Sequence, residues 1–173
     1  MNRRDYRRLP ADVDPAGLLP FLKANGTWIR TLQLRSFHQG SCIPSSLAMA
    51  SFLGSYGIPA FPVVSRAIVV GVKAWPDMAQ MLMDVRGGQD VYLAAYTLRE
   101  TYNGIPPFVA CGWGDIGKGE RPGETRGDNW IGHMGTMAMD PAGSWWFLDV
   151  TIDQAERAMN APIMPVIAQL PGP

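Results

Sequence analysis

The chain lacks most of what would declare a function outright. It carries only 2 cysteines and 2 histidines among 173 residues. Two cysteines are too few to staple a secreted disulfide scaffold. Neither CxxC nor HxxxH spacing occurs, so the usual zinc patterns are missing and no metal or cofactor is expected. Net charge is absent: 15 basic side chains balance 15 acidic ones, which leaves no electrostatic case for nucleic acid. Residues 1–13 include the basic run Arg3-Arg4-Asp5-Tyr6-Arg7-Arg8, read as a loosely ordered, solvated segment. No apolar run follows those arginines, so a secretory signal is not expected. The longest uncharged stretch, Ser36 to Ser65, is broken by Gly57, Pro59 and Pro62, which argues against a membrane span. A cytoplasmic protein with free thiols is the simplest expectation. One nucleotide signature is present only in letter. Gly112-Trp113-Gly114-Asp115-Ile116-Gly117 matches GxGxxG, but Gly119, Pro122 and Gly123 follow where a long helix is needed.

What the chain does have is bulk. Apolar residues make up 47% of it and there are 6 tryptophans, enough for one packed domain over residues 1–173 with no visible repeat or linker. Asp14-Pro15 reads as a helix N-cap with proline at the first helical position, and the helix ends at Asn25-Gly26. Trp28 to Arg35 alternates as a strand would. Pro44 to Tyr56 predicts a helix with Gly57 as its stop. Its residues are apolar or small on every face, so it is expected to be buried all round. Phe61 to Val72, rich in Val and Ile, predicts one buried strand. Asp77 to Asp84 and Asp90 to Glu100 read as helices and Phe108 to Gly112 as a short strand. Trp113 to Asn129 reads as a glycine-rich loop. His133 to Met139 and Trp145 to Thr151 flank the turn-forming Asp140-Pro141-Ala142-Gly143-Ser144, a hairpin signal. Pro162 to Leu170 suits an edge strand. The expected class is α+β.

The chemistry concentrates on Cys42. It stands at a helix entrance inside a long stretch free of charge, where the helix end and a nearby imidazolium would favour the thiolate. Pro44 biases Ile43 toward an extended backbone, which would put Cys42 just outside the first turn. His133 and Asp149 occur later, one on each strand of the hairpin. The turn allows a register in which Asp149 faces His133, and another in which it faces Gly135, diagonal to His133. Either brings imidazole and carboxylate together on one side of the sheet. A register one residue off would separate them. Met134, Met137 and Met139 read as core filler.

Taken together, Gly40-Ser41-Cys42 before a small-residue helix, then Tyr56-Gly57-Ile58-Pro59-Ala60-Phe61-Pro62-Val63, then His133 and Trp145-Trp146-Phe147-Leu148-Asp149-Val150-Thr151, resemble the transglutaminase-like superfamily. The resemblance covers residues 36 to 72 and 130 to 153. It departs from the family pattern at Phe61, Gly135 and Val150, where Arg, Trp and Pro are usual. It implies a papain-like core in which the helix that starts at Cys42 packs on an antiparallel sheet. Nucleophile, base and orienting acid then fall on Cys42, His133 and Asp149. The implied activity is a cysteine peptidase, amidase or acyltransferase acting on a protein or peptide substrate. Gln39, three residues before the thiol, is a candidate oxyanion donor beside the backbone N–H of Cys42. Trp28 and Trp113 are candidate cleft residues, although core packing is the ordinary role of a tryptophan.

The plainer readings remain beside these. A lone buried cysteine is ordinarily a small hydrophobe, and Cys111 in Val109-Ala110-Cys111-Gly112 reads so. His38 reads as a loop histidine. Asp149 could be a simple strand-end carboxylate, but enclosure by Trp146, Phe147 and Leu148 makes an unpaired charge there costly. The competing functional reading is a catalytically inactive protein-binding module on the same fold, which would tolerate Cys42→Ala.

Overall fold

A computed structural model of the chain describes residues 14–26, 42–71, 73–83, 91, 94, 97, 108–111, 125–126, 129–130, 132–155, 163 and 165–172. Asp14 caps the first helix, α1 (Pro15–Ala24), by accepting the Ala16 N–H at 3.0 Å, and Pro15 takes the first helical position, where no N–H is needed. The second helix, α2, spans Cys42–Ser55. It therefore begins two residues earlier than the sequence suggests, and Cys42 lies inside its first turn, not outside it. Pro44 occupies the third helical position, where the N–H is one of the orphans of any helix start, so the proline costs the helix no hydrogen bond.

Gly57 ends α2 as expected. Its φ of +74° is a left-handed conformation that suits glycine. The Ile58 N–H reaches the Leu53 carbonyl at 3.1 Å and the Gly57 N–H reaches that of Gly54 at 3.0 Å, the paired bonds of a Schellman stop. Leu53 and Ile58, joined by that stop, are both buried.

Among the described residues the main sheet has four antiparallel strands in the order β1-β6-β7-β8: β1 (Ala60–Ser65), β6 (His133–Met139), β7 (Trp145–Asp149) and β8 (Val166–Gln169). Strand β2 (Ala67–Val70) pairs with β3 (Phe108–Cys111) in a separate two-stranded sheet. The single buried strand expected over 61–72 is thus two strands in two sheets, divided at Arg66. Nor is β1 fully buried: among the described strands it lies at the edge of its sheet, a position that suits Pro62, and Phe61 and Val64 are exposed. Helix α3 (Trp75–Met83) lies between the two halves of the small sheet in sequence. Within the segment read as a helix over 90–100, the described residues Val91, Ala94 and Thr97 are helical. The glycine-rich segment contains a short antiparallel pair, β4 (Thr125–Arg126) with β5 (Asn129–Trp130), where only loop was expected. Two residues separate these strands, the commonest hairpin spacing. The candidate strand 28–35 lies outside the described residues. No helix among the described residues is long and apolar enough to cross a membrane.

The β6–β7 hairpin pairs Thr136 with Leu148 and Met139 with Trp145. Asp140 builds its turn. Its carboxylate accepts the Ser144 N–H at 2.8 Å and the Trp146 indole N–H at 2.9 Å, bonds that hold its pKa below the usual value. Gly143 supplies the positive φ, +84°.

Helices α1 and α2 bury one side of the main sheet. Leu18, Leu19 and Leu22 of α1 and Leu53 of α2 meet Ala138, Trp146, Leu148 and Ile167 of the strands. Helix α2 is not buried all round as its composition suggests. Cys42, Ser45, Ser46 and Leu53 are buried, whereas Ile43 and Leu47 are exposed. Small residues on the inner side let the helix backbone approach the sheet. The Ser46 hydroxyl donates to the Met134 carbonyl at 3.0 Å, and the Thr136 hydroxyl donates to the Ser46 carbonyl at 3.1 Å. These two bonds tie the start of α2 to the start of β6. The architecture is α+β, a four-stranded antiparallel sheet with helices against it.

Candidate active site

The tie between α2 and β6 sets Cys42 beside His133. Cys42 is the first residue of α2 and His133 the first of β6. The His133 side chain and the backbone N–H groups of Met134 and Ile43 stand close enough to the thiol to lower its pKa. Asp149 closes β7. The observed hairpin register, carried one residue beyond Thr136–Leu148, sets Asp149 opposite Gly135 and diagonal to His133. This is the second of the two registers the turn allows. A diagonal pair lies within reach of a long side chain, and the His133 Nε2–H donates to Asp149 Oδ2 at 2.7 Å. The other ring nitrogen, Nδ1, is left to face the thiol.

All three groups are shielded: Cys42, His133 and Asp149 are buried. The second carboxylate oxygen of Asp149 accepts the Thr151 N–H at 3.2 Å, an Asx-type turn that fixes the carboxylate as the chain leaves the sheet. Sequence reasoning found the carboxylate but not this brace. Asp-x-Thr at a strand end was the signal for it. The Met134 and Ile43 N–H donors to sulfur were also missed, because a backbone group has no letter in the sequence.

The electrostatics follow from the contacts. The His133 hydrogen bond lowers the Cys42 pKa from its ordinary 9.0; burial opposes it, and the His133 charge and the two backbone N–H groups add to it. For His133, burial is the largest single influence and disfavours the charged ring. The hydrogen bonds and charges of Asp149 and Cys42 together outweigh it and push the pKa up to about 9. The two shifts work in the same direction: they favour a thiolate beside an imidazolium, a nucleophile with a proton donor at its side.

Gly135 has its own part. A Cβ there would come within 2.5 Å of two ring carbons of Phe147 and 3.1 Å of the Leu148 carbonyl oxygen. The missing side chain lets the Phe147 ring lie across β6 next to Asp149. We expect Gly135→Ala to destabilise the protein by roughly 1–3 kcal/mol, the usual cost of overpacking, because ring and backbone must both shift. Chemical denaturation would measure it, and an unchanged midpoint would show that the ring does not lie there.

Three predicted site residues, Gln39, Trp28 and Trp113, lie outside the described residues, as does His38. Cys111 falls on β3, but its side chain is likewise outside the description. Among the described residues no cluster of three or more His, Cys, Asp or Glu side chains is placed to hold a metal ion. No protein-family model, no curated protein and no solved structure matches this chain.

Proposed function

We propose that the protein is a thiol-dependent amide hydrolase or acyltransferase with a papain-like, transglutaminase-like core, acting on a protein or peptide. The observation that carries this reading is the buried group of Cys42, His133 and Asp149, in which His133 bonds Asp149 at 2.7 Å and acts on the thiol from its other side. In this reading the Cys42 thiolate attacks an amide carbonyl, forming a C–S bond as the carbonyl π electrons move to oxygen. The backbone N–H of Cys42, at the helix start, is a donor for that oxyanion, with Gln39 a candidate second. His133, held by Asp149, gives its proton to the departing amine as the C–N bond breaks. The thioester that remains is released by water or by an amine acceptor, with His133 now taking the proton.

The test is direct. Peptide thioesters, incubated near neutral pH, should leave an acyl adduct on Cys42 that intact-mass and peptide-mapping spectrometry locate to that residue, and Cys42→Ala should carry none. If acyl groups appear on Cys111 as fast as on Cys42, or on neither, the proposed activity is wrong and the binding-module reading takes its place.

A further inference from the structure

The main sheet has two unlike faces. The helices cover one. On the other, strand pleating aligns Phe61 and Ser65 of β1, His133 and Met137 of β6, and Trp145, Phe147 and Asp149 of β7. Two contacts verify that alignment. Phe61 and Trp145 meet edge to face with ring centroids 5.9 Å apart. The Phe147 ring lies where a Gly135 side chain would stand.

This face is graded. At one end stand His133 and Asp149, with Ser65 paired directly opposite His133. At the other, Phe61 and Trp145 keep 46% and 39% of their surfaces exposed, with Met137 and Phe147 half-buried between them and the histidine. Large aromatic groups left in water on one continuous strip mark a binding surface, not a core. By the strand register, His133 and Asp149 are the only ionisable residues on this face among the described residues, and they bond to each other, so no other described side chain on it would pair with a charged ligand. A second observation points to a ligand as well. The Ser65 hydroxyl is shielded from solvent and has no hydrogen-bond partner among the described residues. Buried polar groups are nearly always satisfied, so a free hydroxyl beside the imidazole has a donor and an acceptor to offer to a bound polar group.

We propose that this face is the substrate-binding surface of the thiol site, and that it takes an uncharged, extended peptide segment with aromatic or large aliphatic side chains. The peptide's backbone meets Ser65 near the thiol, and its apolar side chains lie on Phe147, Met137 and the Phe61–Trp145 pair. The distance suits an extended chain. From His133 to Met137 is four residues, roughly 13 Å of strand, which a peptide spans in about four residues. This inference rests on the thiol reading of Cys42 but can fail without it.

The test is protection of Cys42 from iodoacetamide. Two capped peptides of equal length serve as probes, one with Phe and Leu side chains and the other with Glu in the same places. The apolar peptide should compete roughly tenfold better than the acidic one, the scale set by burying one aromatic side chain. In the double variant Phe61→Ser/Trp145→Ser, with protection read against that variant's own alkylation rate without peptide, the preference for the apolar peptide should disappear. In Ser65→Ala both peptides should protect less and the preference should remain. Equal protection by the two peptides, or by neither, at a Cys42 that still reacts as a thiolate, overturns the surface and leaves the thiol site standing. A native dimer that the double variant dissociates also overturns it, since a second copy would then own the face. A Cys42 that does not react as a thiolate removes both proposals.

Discussion

Replacement of His133 by alanine is expected to slow the reaction of Cys42 with iodoacetamide near pH 6.5 by on the order of tenfold. The His133 hydrogen bond is the first cause of the lowered thiol pKa and the ring's charge adds to it, while burial works against both. Without the ring, burial remains, and the thiol reverts at least to ordinary behaviour. An unassisted thiol with the ordinary pKa of 9.0 is only about 0.3 per cent ionised near pH 6.5, so the thiolate population falls by up to roughly three hundredfold. A more basic thiolate is intrinsically the better nucleophile, with a Brønsted slope of about 0.4–0.5, which returns part of the loss.

The pH profiles give the sign. In the native protein alkylation stays fast below the ordinary thiol value of 9.0 and falls only as the depressed Cys42 titration is crossed. Acyl transfer falls on that acid side too. It also falls on the alkaline side as the pH rises through about 9, where His133 gives up the proton that the leaving amine needs. The two apparent values belong to the pair and not to either residue alone. Mass-spectrometric rates on Cys42, kept apart from Cys111, would decide it. A Cys42 titrating like a free thiol in both proteins would identify a packed structural cysteine.

The second large effect is expected at Asp149. Its bond to His133 lies between side chains exposed by only 4% and 2%. Removing one partner of a buried ion pair strands the other in a medium that solvates it poorly, at a cost of about 3–5 kcal/mol. Asp149→Ala should therefore lower the melting temperature by roughly ten degrees for a chain of this size. The linkage has a definite direction. The His133 pKa is raised from 6.5 to about 9 on folding, so the stability tied to its charge is full near and below pH 6.5 and is lost as the pH rises through about 9. The melting gap between native and Asp149→Ala proteins should narrow over that window. Asp149→Asn separates architecture from chemistry. Its amide still accepts the Thr151 N–H, but its NH₂ donates to Nε2 and moves the ring proton to the nitrogen that faces sulfur. That variant should melt closer to the native protein yet lose the low-pH reactivity of Cys42. If Asp149→Ala melts within about 1 °C of the native protein, the carboxylate is not the buried partner described above.

Much of this site was legible in the letters. Asp14-Pro15 announces a helix start because cap and proline act locally, and Gly57 announces a stop because a left-handed residue there suits glycine. The hairpin was legible because a turn-forming cluster limits the strands to a few registers, and the two that suit it both keep His133 and Asp149 on one face. Other features depend on neighbours far along the chain. Whether 61–72 forms one strand or two is decided by its partners, β6 for one half and β3 for the other. Which side of α2 is buried is decided by the sheet, since an apolar helix without charge carries no amphipathic mark to orient it.

By itself, then, the sequence determined the parts: a thiol at a helix start, an imidazole and a carboxylate on the two arms of one hairpin, and an uncharged stretch around the thiol. Their order and local turns follow from interactions only a few residues long. Only the tertiary structure decided that the parts meet. Ser46 and Thr136, 90 residues apart, bond the helix to the strand and set Cys42 against His133. The same packing supplies the Met134 N–H to sulfur and brings the Phe61 and Trp145 rings together across the open face. Contacts of that range are sums of packing and burial over the whole sheet, so no local pattern of residues specifies them.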